Sequence, residues 1–139
     1  MARADGVNHV AIGEAGPGRE ARLALRDFNS GLVVIAEAIR ERTRAQSVIL
    51  TLGPEGLLVH ANSELIGSMM TDRLPAFNQS PKDTAGAGDS LLVCASLALL
   101  TGADVWRSAY LGSLAAACQV GRIGNVPLTA ADIVAEIDI

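Results

Sequence analysis

The amino-acid sequence predicts an α/β fold in which helices flank a small sheet. Half of the 139 residues are apolar and 19% are charged, which is typical of a globular chain with one core. Residues 47–52 form a short apolar run of the kind that is buried on both faces of a parallel sheet. Segments on both sides of this run carry apolar residues at helical spacing. We therefore expect a single α/β portion over residues 19–139, preceded by an irregular segment over residues 1–18.

Charge and composition restrict the partners that the chain can bind. The net charge is −4 and no basic cluster is present, which argues against nucleic acid and against an anionic membrane surface. The longest apolar run, residues 91–100, has about half the length of a membrane span. Residues 1–18 lack the apolar core of a signal peptide. These features predict a cytoplasmic protein in which backbone amides or a bound cation hold any phosphate.

The N-terminal part contains the first predicted strand and helix. Residues 7–12 favour a short strand. From residue 19 onward, apolar residues recur among charged ones, which indicates either one long helix or two helices that meet near residues 29–31. We place a helix over residues 30–44, and its arginine-rich end over 40–44 is expected to be solvated, because cations suit a helix C-terminus.

A β-hairpin is predicted next. Residues 47–52 and 57–60 are the two strands, and Gly53-Pro54-Glu55-Gly56 between them is a turn sequence. Residues 62–71 are expected to be irregular. Residues 74–77 are expected to form a short strand that leads into a polar loop.

Three helices are predicted in the remainder of the chain. The first covers residues 89–100 and stops near Gly102, and Asp104 is a suitable N-cap for the second, over residues 105–119. Small residues in the second helix permit close packing against the first. After a loop over residues 121–127, Thr129 and Asp132 resemble a capping box for the last helix, over residues 130–137.

The motif that carries chemistry directly precedes the first of these helices and reads Asp83-Thr84-Ala85-Gly86-Ala87-Gly88-Asp89. Small residues let the backbone bend sharply, so the N–H groups of Gly86, Ala87 and Gly88 are expected around the first helical turn. Unpaired N–H groups at the positive end of a helix bind anions. Asp89 then suits a general base that takes a proton from a hydroxyl attacking a bound phosphate. The alternative is that Asp89 is only a first-turn acid favoured by the helix dipole, and that the glycines only form a tight turn.

The complete motif resembles the second signature of the ribokinase-like (PfkB-type) carbohydrate kinases. The resemblance implies an α/β fold that is the C-terminal half of a three-layer α/β/α sandwich. It also implies that the amides of Gly86, Ala87 and Gly88 stabilise the transferring phosphoryl group of ATP, and that Asp89 deprotonates a sugar hydroxyl. Mg²⁺ is expected to accompany the ATP phosphates.

The same resemblance implies further binding residues. These kinases carry a Thr-x-Gly-x-x-Gly element that lines the nucleotide site, which places Thr51, Gly53 and Gly56 near ATP. Ser113 stands where the family has a polar residue, often Asn, near adenine, and its shorter side chain departs from that pattern. In several of these kinases backbone carbonyls hold a monovalent cation such as K⁺, and the corresponding positions are Asp83, Ala85, Gln119, Arg122 and Gly124.

The resemblance runs from about residue 19 to the C-terminus, and residues 109–117 look closest to the heptose-phosphate kinase branch. A complete kinase of this type also has an N-terminal half, which supplies most of the central sheet and the sugar-binding residues. None of that half is visible in this sequence. The family's Asn-x-x-Glu element, which helps to place magnesium and phosphate, lacks its Asn here, with Glu20 as a remnant.

The predicted function is ATP-dependent transfer of the γ-phosphoryl group to a sugar or sugar-phosphate hydroxyl, with this chain supplying the ATP-binding half. The expected partner is the missing N-terminal half or a second copy of the chain, in a homo-oligomer. The alternative is a non-catalytic nucleotide-binding or assembly module that lacks an acceptor site. A dinucleotide site is disfavoured, because the glycines do not follow the first strand of a βαβ unit.

Overall fold

A computed structural model of the chain describes residues 10–14, 20–63 and 67–137. The described residues form two compact units. The first unit comprises those up to Gly53 together with Leu57–Arg73, and the second comprises Pro54–Gly56 and those from Leu74 onward.

The sheet contains four strands in the order β1-β2-β3-β4. They are β1 Val10–Glu14, β2 Ser47–Thr51, β3 Leu57–Ser63 and β4 Ser68–Leu74. β1 runs parallel to β2, whereas β2 and β3 are antiparallel, with Ile49 opposite Val59. The predicted hairpin is therefore confirmed, and a short 3-10 helix at Gly53–Glu55 forms its turn.

The other strand predictions are confirmed in part and corrected in part. β1 confirms residues 10–12 of the strand predicted over residues 7–12, and residues 7–9 lie outside the described residues. Residues 62–71 were wrongly expected to be irregular, since they include the end of β3 and the start of β4. β4 stands last in the sheet order and has exposed polar side chains, which hide its strand character in the sequence. The strand predicted over residues 74–77 is wrong, because β4 ends at Leu74 and Pro75 has no N–H to donate to a ladder.

Two helices belong to the first unit, α1 Glu20–Leu25 and α2 Leu32–Thr43. Their separation confirms the two-helix alternative, and α2 begins two residues later than predicted because Gly31 acts as its N-cap. Both helices pack against the sheet through one apolar core. Its buried members are Ala21, Ile35, Ala36, Val48, Leu50, Leu52 and Leu58.

A buried histidine ties α2 to β3 and β4. The Nε2 atom of His60, which is only 5% exposed, lies 2.6 Å from a carboxylate oxygen of Glu37, and its Nδ1 atom lies 2.7 Å from the hydroxyl of Thr71. The Arg40 guanidinium also donates to Glu37. The hydrogen bonds from Arg40 and His60 lower the pKa of Glu37 from its ordinary 4.5 to about 2. The ionised Glu37 carboxylate is thus one of the groups that hold the first unit together.

The second unit is helical, with α3 Ala87–Leu100, α4 Val105–Val120 and α5 Ala130–Ile137. α3 begins two residues earlier than predicted, with Gly86 as its N-cap. Asp104 caps α4 as predicted, since its carboxylate accepts from the N–H of Arg107 at 2.7 Å. The predicted capping box of α5 is also confirmed by two reciprocal bonds, in which Thr129 N donates to Asp132 Oδ2 at 2.7 Å and Asp132 N donates to Thr129 Oγ1 at 3.3 Å.

α3 and α4 approach closely at Gly112. A Cβ atom at this position would lie 3.0 Å from the carbonyl oxygen of Leu91 and 3.2 Å from the Cβ of Ala95. Such distances are too short for an unstrained side chain, so the absence of one at Gly112 sets the spacing of the two helices. This packing fixes the helix whose first turn carries the motif.

We predict that Gly112→Leu destabilises the chain by about 1–3 kcal/mol, because the added carbons have no space between α3 and α4. Urea denaturation measures the change. The control is Arg107→Leu, which introduces the same residue on the same helix where the native side chain is 79% exposed. Equal unfolding midpoints for the two variants would show that the helices do not need a small residue at this crossing.

We also predict that acid removes the contribution of Glu37 to folding. Its pKa is lower in the folded chain than its ordinary 4.5, so the stabilisation is complete above that pH and is lost as the pH falls from 4.5 towards 2. Glu37→Gln should therefore lose less stability than the wild type between pH 6 and pH 3. Glu41→Gln, exposed on the same helix, should retain the wild-type pH dependence when unfolding is followed by circular dichroism.

Candidate active site

The motif starts against the C-terminal end of α4. The N–H groups of Lys82 and Asp83 both donate to the carbonyl of Val120, at 2.7 and 3.2 Å. This carbonyl belongs to the last turn of α4, which has no intrahelical donor for it. The start of the motif therefore supplies hydrogen-bond donors to the C-terminal end of α4, and the motif then leads into α3.

The carboxylate of Asp83 joins the motif to the loop that follows α4. One of its oxygens accepts from the N–H of Ala85 at 2.9 Å, and the other accepts from the N–H of Gly124 at 3.0 Å. These two N–H groups lower the pKa of Asp83 below its ordinary value. Asp83 is thus an ionised bridge between two loops.

Gly86 adopts a backbone conformation that favours glycine. Its φ is +78°, in the left-handed region, and a Cβ atom would overlap the side-chain amide of Asn125. Gly86 therefore serves two purposes, since it turns the chain into α3 and leaves room for Asn125.

The first turn of α3 presents open N–H groups, but not the three that the sequence predicted. The N–H of Ala87 faces the carbonyl of Thr84 at 3.4 Å, and the N–H of Ser90 donates to the carbonyl of Gly86. Those of Gly86, Gly88 and Asp89 have no acceptor among the described residues. The sequence predicted an open N–H at Ala87, but in the tight turn before the helix this N–H faces the carbonyl of Thr84. The open set consists of the N–H groups of Gly86, Gly88 and Asp89.

The surroundings of these groups suit a phosphate. A Cβ atom at Gly88 would meet nothing within 4 Å, so the backbone there is accessible to a ligand. The open N–H groups stand at the positive end of the 14-residue helix α3. The donor set thus fits an anion with several oxygens.

Asp89 lies in this first turn and is exposed. Within the described part of the chain, its carboxylate takes part in no hydrogen bond or ion pair. A carboxylate with free lone pairs beside an anion-binding turn can accept a proton from an attacking hydroxyl. The geometry is therefore compatible with the general-base reading of Asp89.

The last turn of α4 and the loop after it each carry an amide side chain, and the two contact each other. Gln119 is only 1% exposed, and its Nε2 atom donates to the carbonyl of Gly124 at 3.3 Å and lies 3.5 Å from Oδ1 of Asn125. Asn125 was not among the predicted site residues. In the sequence it appears only as a polar residue after a glycine, which is an ordinary turn signal, so no pattern connected it with Gly86.

The positions predicted for a monovalent cation fall largely on these two loops. Asp83 contacts Ala85 and Gly124, and the side chain of Gln119 reaches the carbonyl of Gly124. The side chain of Arg122 points elsewhere, since it pairs with Asp132 at 2.6 Å. The residues described contain no group of three or more His, Cys, Asp and Glu side chains able to hold a metal ion.

The predicted nucleotide-binding residues are divided between the units. Thr51 ends β2 and Gly53 opens the following 3-10 helix, both in the first unit. Gly56 belongs to the second unit, where its φ is +94° and a Cβ atom would overlap the carbonyl of Leu74. Ser113 is buried on α4.

Comparison with known proteins identifies the relatives of the chain. A family model described as pfkB family carbohydrate kinase matches residues 19–130. The chain is 32% identical over 95 residues to the bifunctional protein HldE of Rhodospirillum rubrum, which covers 68% of the chain and 16% of that protein. It is 29% identical over 100 residues to HldE of Paramagnetospirillum magneticum, covering 71% of the chain and 19% of that protein. The chain thus spans less than a fifth of the length of these two relatives.

Solved structures share the fold. The ribokinase of Thermotoga maritima has a TM-score of 0.72 at 21% identity, over 96% of this chain and 50% of the ribokinase. Phosphofructokinase-2 of Escherichia coli, solved in complex with potassium, has a TM-score of 0.74 at 19% identity, over 94% of this chain and 41% of that enzyme. These similarities confirm the predicted α/β, ribokinase-like fold.

Among the described helices, none has the length and apolar character needed to cross a membrane.

The two glycines of the motif should respond differently to alanine. We predict that Gly86→Ala lowers the free energy of unfolding by about 1–3 kcal/mol, because it strains a left-handed backbone and collides with Asn125. Gly88→Ala should be neutral or stabilising by up to about 1 kcal/mol, because it has room and alanine favours a helix. Guanidinium denaturation of both variants measures the difference, and equal stabilities would contradict the described turn.

Proposed function

The chain belongs to the pfkB family of carbohydrate kinases, and from this membership we propose that it supplies the ATP-binding part of an ATP-dependent kinase. The reaction is transfer of the γ-phosphoryl group to a hydroxyl of a sugar or sugar phosphate. The relatives named HldE support the heptose-phosphate kinase branch, in which a heptose phosphate would carry the acceptor hydroxyl. The observation that carries the proposal is the set of open N–H groups in the first turn of α3 beside the free carboxylate of Asp89.

Charge stabilisation is the first proposed task of the motif. The N–H groups of Gly86, Gly88 and Asp89 donate to oxygens of the transferring phosphoryl group, whose negative charge the helix dipole also favours. Ala87 contributes through the turn that orients its neighbours, because its own N–H faces Thr84. The bridge from Asp83 holds these donors in place before the substrate arrives.

Proton transfer is the second task and falls to Asp89. The acceptor hydroxyl loses its proton to the carboxylate as its oxygen bonds to the γ-phosphorus, while the bond from that phosphorus to the β-phosphate oxygen breaks and ADP leaves. The exposure of Asp89 and its lack of a partner support this role. Mg²⁺ bound to ATP would supply positive charge that stabilises the phosphate oxygens.

The nucleotide itself is proposed to contact Thr51, Gly53, Gly56 and Ser113. The left-handed backbone of Gly56, which has no space for a Cβ atom, supports the need for glycine at the end of the Thr-x-Gly-x-x-Gly element. Ser113 is buried, so we assign it to the wall of the adenine site rather than to a direct base contact.

A monovalent cation is proposed at the carbonyl groups of Asp83, Ala85, Gln119, Arg122 and Gly124. The phosphofructokinase-2 structure with potassium supports K⁺ as the ion. Asp83 already holds the motif and the loop after α4 together through Ala85 and Gly124. A cation held by carbonyls of both loops would therefore stiffen the donor set.

The protein partner is proposed to be the N-terminal half of a kinase or a second copy of this chain, in a cytoplasmic homo-oligomer. α3 supports this because its outer face is apolar and exposed at Leu92, Val93, Leu97 and Leu100, the last to 83%. Such a stripe favours burial against another surface. The matched ribokinase is twice as long as the part that this chain covers, which supports an N-terminal half as the occupant.

A nucleotide-binding module without catalytic activity is the second candidate. The short span of the chain relative to its relatives favours it for the chain alone, because sugar-binding residues are expected in the part that the chain does not cover. ATP binding without phosphoryl transfer to any sugar or sugar phosphate would support this candidate over the kinase.

We predict that Asp89→Asn lowers turnover by at least about 10²-fold, because a positioned general base contributes about 10²–10⁴-fold. The measurement is ADP formation with ATP and a panel of sugars and sugar phosphates, including heptose phosphates. ATP affinity should change little, since the N–H groups that bind phosphate are retained. Asp72→Asn, an exposed carboxylate on β4, is the control and should retain full turnover. Turnover of Asp89→Asn within tenfold of the wild type would refute the general-base assignment.

A further inference from the structure

The orientation of the Asn125 side chain is fixed by its neighbours. The carbonyl of Gly124 can only accept a hydrogen bond, so the buried amide of Gln119 must turn its nitrogen towards it, as observed at 3.3 Å. The same nitrogen lies 3.5 Å from one terminal atom of the Asn125 amide. A donor requires an acceptor, so that atom is Oδ1, and the NH₂ group of Asn125 occupies the other branch.

This NH₂ group has no hydrogen-bond partner in the part of the protein that the structure describes. Its two N–H bonds meet no acceptor among the residues that the structure describes, and Asn125 is exposed. The amide also lies directly against Gly86, since its Oδ1 is the atom nearest to the place where a Cβ atom of Gly86 would stand, and Nδ2 is 3.2 Å from that place. Asn125 therefore brings two donors, unused among the described residues, to Gly86, the N-cap of α3.

The open backbone donors stand at the same place. The N–H groups of Gly86, Gly88 and Asp89 meet no acceptor in the described ranges, and Gly86 is the residue that the Asn125 amide contacts. The site contains the carboxylate of Asp89, so a further neutral donor strengthens phosphate binding without forming an ion pair that would occupy this base.

We propose that Asn125 is a phosphate-binding residue of this site, whose side-chain NH₂ donates to an oxygen of the ATP phosphates, and that Gln119 is the positioning residue that orients it. The proposal rests on the proposed function, because it needs a phosphate at the first turn of α3. It adds a side-chain donor from the loop after α4 to a donor set that otherwise consists of backbone N–H groups. It also gives a second reason, besides the positive φ, for glycine at residue 86, because a side chain there would displace the Asn125 amide.

Calorimetric titration of the full chain with Mg-ATP, tripolyphosphate and adenosine tests the proposal. Asn125→Ala should weaken Mg-ATP and tripolyphosphate binding by about tenfold or more, because a hydrogen bond to a charged group is lost, while adenosine binding stays within twofold. Asn125→Asp should weaken the two phosphate ligands further, because a carboxylate replaces the donor. Asn29→Asp makes the same change at an exposed loop position of the first unit and should leave all three affinities unaltered.

Gln119→Met provides the test of positioning. It removes the amide but keeps a similar volume, and it should weaken Mg-ATP binding without adding to the loss in a double variant with Asn125→Ala. Additive losses would overturn the positioning role of Gln119. Unchanged phosphate affinities in Asn125→Ala and Asn125→Asp would overturn the proposal while leaving the proposed function intact. A wild-type chain that binds neither Mg-ATP nor tripolyphosphate would overturn both.

Discussion

The site depends on one carboxylate that accepts two backbone hydrogen bonds. Asp83 receives the N–H of Ala85 from its own loop and that of Gly124 from the loop after α4, and both bonds favour its ionised form. Without this bridge the motif would be joined to the rest of the second unit mainly through the end of α4. The donors at the first turn of α3 would then lose the rigid support that electrostatic preorganisation needs. In this way the first acid of the motif positions the anion-binding turn, while the second stays free for chemistry.

Packing between helices provides the second level of support. Gly112 lets α4 approach α3 until the carbonyl of Leu91 lies in contact range, and this close crossing fixes the helix whose first turn is proposed to bind the anion. The first unit is stabilised differently. It has an apolar core between its helices and the sheet, and the contacts of His60 with Glu37 and Thr71 join α2, β3 and β4. Each unit therefore has its own stabilising interactions.

Much of the fold was predictable from the sequence because its signals are local. The caps at Asp104 and Thr129, the hairpin turn at residues 53–56 and the apolar strand β2 were found from residue type and spacing. β4 was missed, because its polar side chains conceal a strand that only pairing with β3 reveals. In the site, the motif and its helix were predicted, but the engagement of Ala87 and the contact of Asn125 with Gly86 were not. Both depend on how the chain turns in space, and residue 125 is far from residue 86 along the sequence.

The contact between Gly86 and Asn125 has a consequence for how such a chain can diverge. A side chain can be accommodated at residue 86 only if residue 125 becomes smaller and the backbone leaves the left-handed region. A chain that carries only one of these replacements is therefore less stable or binds phosphate less well. Two positions separated by 38 intervening residues are in this way linked in their permitted variation. Homologous chains with a larger residue at 86 should accordingly carry Ala or Gly at 125, together with a reshaped entry to the helix.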